Sequence, residues 1–312
     1  MRSLATLFFV IAGFFGMAST GVAWSSKGHQ RITAAAVESL ANLKPRWMQA
    51  EAAAIVRASV QPDLSRPREL AQLRALEAPR HYLDLEVLEG QALPEEQWQY
   101  ISLLSRMADG GNGKGLLRPD RDVTQVGILP YALVEATQRL AAIFAQLRVW
   151  PDDSELRRMA AHQAGFVAHY AQDLCQPLHT TVHHDGRARK NGSSPHTGIH
   201  QQVDALMQSV SLPDSRTRDR EPRVLKPLFP AVASALQESH THVDQVYELA
   251  NRLDRLQGTG MADTRLVEFA RERYQQAVEL TADLIHTAWK LSASVRTPDW
   301  AQDAKMPGKS QE

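Results

Sequence analysis

Apolar residues recur every three to four positions along most of the chain, the spacing that places them on one face of an α-helix. Ile32 to Leu43 follows this pattern, and Pro45 opens a second helical stretch that ends near Val60. Further helices are predicted from Arg68 to Leu76, Pro94 to Met107, Pro130 to Leu147, Ser154 to Cys175 and His200 to Met207. Two longer ones are predicted from Phe229 to Leu256 and from Thr264 to Ser294. Asp152, Asp153 and Ser154 offer N-caps for the alanine-rich central helix. Alternating runs rich in Val, Ile and Thr are missing, so no sheet is expected and the fold class is all-α.

The first 23 residues depart from this pattern. Arg2 supplies a positive start, Leu4 to Met17 is apolar but short for a membrane span, and Gly21-Val22-Ala23 ends in small residues. A signal peptide over residues 1–23 is expected, cleaved between Ala23 and Trp24, with the mature chain secreted or periplasmic; the other reading is an uncleaved anchor. The mature chain then has no transmembrane segment. Cleavage removes Arg2 and no acid, so 35 basic and 35 acidic residues become 34 and 35. That balance argues against bulk electrostatic capture of nucleic acid or anionic membrane. No linker or repeat divides the rest, so one domain over residues 24–296 is expected, followed by a disordered polar tail at 297–312. Cys175 is the only cysteine, which excludes an intramolecular disulfide and reads as a small buried hydrophobe. Nothing implies a stable protein partner, and a monomer is expected.

Candidate chemistry concentrates in two clusters. In Gly165 to His179, His169 and Asp173 are four apart and share one helix face. Pro177 stops the helix and lets His179 fold back toward them. His200 and Asp204 repeat the four-residue spacing on a second short helix. Three imidazoles and two carboxylates suit zinc in a redox-inert hydrolytic site, and the alternative is a solvated polar face. The loop Thr180 to Thr197 joins the clusters and carries His183, His184, Arg187, Arg189, Lys190 and His196. It reads equally as a substrate-contact loop or a solvated connection. The glycine-rich stretch Asp109 to Asp122 is no phosphate cradle, because the glycine spacing is wrong and Gly115 stands where Ser or Thr is needed.

Upstream lie Trp24-Ser25-Ser26-Lys27-Gly28-His29, Gln61-Pro62-Asp63-Leu64-Ser65-Arg66 and His81-Tyr82-Leu83-Asp84. With His-x-x-x-Asp-x-x-Gln-Pro-x-His and the following His-x-x-x-Asp, the set resembles the zinc-dependent superfamily that joins single-strand-specific nucleases with bacterial phospholipases C. The resemblance spans roughly Trp24 to Asp204. It implies a multi-helical domain with three zinc ions in one cleft. By this resemblance the first zinc takes the free amine and carbonyl of Trp24, His29 and a bridging Asp173. The second takes Asp63, His81, His169 and Asp173, and the third takes His179, His200 and Asp204. An uncut precursor would then lack one metal site. The activity implied is phosphodiester hydrolysis by metal-activated hydroxide, with Asp63 as a base and Arg66 near the scissile phosphate.

Two features resemble the nuclease branch: the five-residue step from Trp24 to His29, and His81-Tyr82-Leu83-Asp84. In the latter, Tyr82 would stack on a base and Asp84 would bond its edge. Pro62-Asp63 is more similar to the phospholipases. Single-stranded nucleic acid is therefore the expected substrate, phospholipid headgroup esters the alternative, and a catalytically silent zinc-binding interaction protein the reading from another class.

Overall fold

The computed structural model describes residues 25–43, 45–110, 125–187, 194–209, 220–261 and 263–300. Residues 1–23, Trp24, most of the Asp109 to Asp122 loop, Arg189, Lys190 and residues 301–312 of the tail lie outside them. The structure is 73% helical with no strand among the described residues, and the expected all-α single domain is what forms.

Twelve α-helices make up the described fold: α1 (Ser26–Ser39), α2 (Ala52–Ala58), α3 (Gln61–Leu64), α4 (Ala71–Glu77), α5 (Gln97–Gly110), α6 (Leu129–Val149), α7 (Ser154–Leu174), α8 (Ile199–Ser209), α9 (Leu228–Thr241), α10 (Val243–Glu248), α11 (Ala250–Thr259) and α12 (Thr264–Leu291). Helix α7 is the axis, packed against α6, α2, α12 and α1. Asp153 starts it as expected, its Oδ1 accepting from the Glu155 and Leu156 N–H groups at 2.9 Å. Small residues (Ala160, Ala161, Ala164, Gly165 and Ala168) let neighbours approach closely, and the last two turns are buried almost all round. The approach is closest at Gly165, where a Cβ would fall 2.4 Å from Ala58 Cβ and 2.7 Å from the Ala58 carbonyl carbon. No helix among the described residues is long and apolar enough to cross a membrane.

Three boundaries differ from the pattern. Helix α1 starts at Ser26 rather than Ile32, because the Ser25 hydroxyl caps the Gly28 N–H, and this adds His29 to the helix. The stretch after Pro45 divides into a 3-10 turn, α2 and α3, the last with Pro62 in its first turn. The helix expected from Phe229 to Leu256 breaks at His242 and Leu249. At the first break His242 Nε2 lies 3.0 Å from Glu238 Oε1, one turn back, and 3.0 Å from Arg273 Nη2 of α12. An apolar repeat continues through such a bend, so periodicity alone does not reveal it.

Candidate metal centre

Eight of the nine residues expected as ligands are described, and they converge on one buried region. Three groups could each hold an ion: His29, His169 and Asp173; Asp63, His81 and His169; and His179, His200 and Asp204. His169 thus stands between the first two groups, its ring stacked on His29 with centroids 4.2 Å apart. Asp173 faces both. Its Oδ1 is 3.4 Å from His29 Nε2, while its Oδ2 is 3.0 Å from His81 Nδ1 and 3.3 Å from His169 Nε2. Asp63 Oδ1 lies 3.9 Å from both His81 Nδ1 and His169 Nε2, and it accepts from the Arg66 guanidinium. In the third group, His200 Nε2 is 3.1 Å from His179 Nε2 and 3.4 Å from Asp204 Oδ2.

Hydrogen bonds outside the groups set the rings. His169 Nδ1 donates to the Ser59 carbonyl at 2.7 Å, a contact made possible by the close packing of α2 at Gly165, one turn earlier. His29 Nδ1 donates to Gln172 Oε1 at 2.6 Å, and the same amide donates to Thr33 Oγ1 at 2.8 Å, gripping α1 at two positions four apart. His179 Nδ1 donates to the His81 carbonyl at 2.5 Å, and His200 Nδ1 to the His184 carbonyl at 3.0 Å. Each of these bonds turns an Nε2 lone pair inward, as a metal-binding imidazole requires. Gln176 holds Asp204 Oδ1 at 2.9 Å and accepts from the Leu178 N–H at 2.6 Å. The sequence motif names Gln176 and leaves Gln172 at a variable position, and spacing assigns neither a role. Ser59 carries no sequence signal at all, because it acts through its backbone.

Four inward atoms have no hydrogen-bond partner: His29 Nε2, Asp63 Oδ2, Asp173 Oδ1 and Asp204 Oδ2. An orphaned buried oxygen or nitrogen costs about 1–3 kcal/mol, and a bound cation would satisfy all four. A set of imidazole and carboxylate donors suits a divalent transition-metal ion. The residues therefore fit a metal centre.

Charge divides the centre. Burial pushes Asp173 up, but His169, His179 and His81 more than offset it and hold the carboxyl well below the usual range. Asp63 behaves alike, with His169 and Arg66 outweighing burial. Burial lowers His169, yet Asp173 and Asp63 hold it above the ordinary imidazole value. His29 is pushed down to about 4 by burial and by His169. In the third group burial dominates throughout: Asp204 is raised well above its ordinary value, His200 falls well below, and His179 is lowered.

The remaining candidates flank the centre. Tyr82 is half-buried, and its backbone lies against Gly127, where a Cβ would fall 2.0 Å from the Tyr82 carbonyl oxygen. The positive φ of 90° at Gly127 adds a second reason for glycine there. Asp84 is buried, and its N–H donates to the Val126 carbonyl at 2.8 Å. The described part of the Thr180 to Thr197 loop braces the third group. Asp185 Oδ1 accepts from Gly198 N at 2.7 Å, Tyr247 donates to the His183 carbonyl at 2.5 Å, and Glu86 accepts from Thr181 and Val182. Cys175 is buried, its thiol pushed up by burial, and it belongs to none of the groups. Comparison with protein-family models, with curated proteins and with solved structures finds no match to this chain.

Proposed function

We propose that the protein is an exported zinc-dependent phosphodiesterase, most readily an endonuclease acting on single-stranded nucleic acid. The observation that carries this is Asp173, a fully buried carboxylate with one oxygen turned to His29 and the other to His81 and His169. Such a carboxylate suits two neighbouring cations. In this reading Trp24, His29 and Asp173 would hold one zinc, Asp63, His81, His169 and Asp173 a second, and His179, His200 and Asp204 a third. Zinc, when bound, supplies Lewis acidity, charge neutralisation and activation of water near neutral pH.

The chain's own groups do the rest. Asp63 is held in its ionised form and its buried Oδ2 has no hydrogen-bond partner, so it can take up a proton as water attacks phosphorus. Arg66 fixes the other oxygen of Asp63 and leaves further N–H groups for a phosphate oxygen. Tyr82 stacks on a base. Asp84, at 6% exposure, is reached only by a base that enters fully. Ser25 donates its N–H to the Asp204 carbonyl at 3.2 Å, so the residue after Trp24 already lies at the centre. This supports cleavage between Ala23 and Trp24 as the step that frees an amine for coordination.

A phospholipid substrate is favoured by one observation. Leu64, Leu70, Leu73 and Leu76 are 65%, 54%, 41% and 73% exposed, and α4 buries none of its residues. Exposed leucines in the segment that joins Asp63 to His81 suit an acyl surface. The test is zinc content and bis-p-nitrophenyl phosphate hydrolysis by the mature protein, then single-stranded DNA or RNA against phosphatidylcholine. Three zincs with no turnover would leave a silent binding protein. Release of phosphocholine without nucleotides would replace the nuclease reading with the phospholipase one.

A further inference from the structure

One imidazole of the centre is mounted the opposite way round. His29, His169, His179 and His200 each anchor Nδ1 on an oxygen outside the groups and turn Nε2 inward. His81 instead turns Nδ1 inward, 3.0 Å from both Asp173 Oδ2 and His169 Nε2. Its Nε2 points outward, is buried without a hydrogen-bond partner, and has Glu77 Oε1 3.5 Å away. Glu77 thus places a carboxylate opposite the outer nitrogen of His81, whereas the other four rings hydrogen-bond to carbonyl or amide oxygens.

Glu77 is itself held in place. The Tyr170 hydroxyl donates to its Oε1 at 2.5 Å, and Arg80 Nε donates to the Tyr170 oxygen at 3.1 Å. Arg80 is in turn fixed by Glu135 Oε2 at 2.8 Å. The Tyr170 ring meets the His81 ring edge-on, with centroids 5.7 Å apart, so it both packs the imidazole and orients its anchor. Local geometry permits the pairing: Glu77 ends α4, and the 3-10 turn Ala78–His81 brings a residue four positions on back beside it.

The geometry points to Glu77 as a positioning residue that makes His81 an Nδ1 ligand of the Asp63–His81–His169 pocket. It rests on the metal-centre reading above. A carboxylate that accepts the outer N–H of an imidazole fixes its tautomer and raises the basicity of the inward nitrogen. Without Glu77, no carboxylate faces the outer nitrogen, and the ring is freer to rotate about its Cβ–Cγ bond and carry Nδ1 out of the pocket.

The experiment is a competitive zinc titration of the mature protein and of Glu77→Ala and Glu77→Gln, with ¹⁵N NMR of the histidine rings in the zinc-loaded forms. Wild type should show one Nδ1-bound imidazole among Nε2-bound ones. Glu77→Ala should weaken one zinc about 10–100-fold and leave the others unchanged. Glu77→Gln, which keeps an acceptor oxygen, should recover most of that loss and should fold as wild type does. Equal zinc affinity in Glu77→Ala, or an Nε2-bound His81 in wild type, would overturn the assignment. A wild-type protein that binds no zinc would defeat the metal reading itself, whereas zinc binding without turnover would defeat only the enzymatic one.

Discussion

The pockets around Asp173 and the pocket of His179, His200 and Asp204 use the same donor types but handle charge in opposite ways. Asp173 is buried and yet held ionised, because His169, His179 and His81 face it. Asp204 is as deeply buried, and its nearest support is the neutral amide of Gln176, so its carboxyl is raised. One region balances its charges internally before any ion arrives. The other is buried with its carboxyl raised, so a cation that binds there has to displace a proton. Identical ligand types therefore do not make equivalent pockets; the outer partners decide.

The largest test of this contrast is Asp173→Asn. It removes the carboxylate that two pockets face, so the zinc count should fall to the one held by the third pocket. Turnover of bis-p-nitrophenyl phosphate should drop at least about 10³-fold. A full zinc complement in this variant, by elemental analysis, would remove the distinction between the regions. Asp204→Asn should lose the third zinc alone, with a smaller drop of about 10²-fold in kcat.

Stability of the metal-free protein separates the regions by sign. Asp204 has a raised folded pKa, so its contribution is present at low pH and lost as pH rises from its unfolded value through the folded one. Asp204→Asn should therefore stabilise the metal-free protein near neutral pH by about 1 kcal/mol or more, and Asp173→Asn should destabilise it. Equal shifts in urea midpoint for the two variants would refute the contrast. His29 behaves in the reverse sense from Asp204: its folded pKa of about 4 lies below the ordinary 6.5. The unfolded chain takes up that proton first, so stability should fall as pH drops between those values. A comparable effect on stability is expected for Gly165→Ala. Overpacking against Ala58 should cost about 1–3 kcal/mol and loosen His169 from Ser59, with zinc in the third pocket retained.

Much of the centre was legible before the fold was known, because helix geometry maps spacing onto space. His169 and Asp173 on α7, and His200 and Asp204 on α8, meet as their four-residue steps require. His29, Asp63 and His81 reach them from distant segments, so only resemblance to a known pattern could join them to the set. The anchors were invisible for a different reason. Ser59, His81 and His184 act through backbone carbonyls, which every residue has, so no side-chain pattern marks them. Helix breaks at His242 and Leu249 were missed because apolar periodicity reports the buried face and not where the backbone bends.

The hydrogen bond from Ser25 to the Asp204 carbonyl gives one residue a part in two pockets. Its carboxyl faces the third pocket, while its backbone fixes the start of α1, the helix that carries His29. Arg31 Nη1 reinforces the tie by donating to the Met207 carbonyl of α8 at 3.0 Å. An ion that orders α8 thus settles part of the entropy cost of ordering α1 for its neighbour. An ion in the third pocket should accordingly raise the affinity of the pocket that holds His29 by a modest factor, read as a small steepening of the zinc titration.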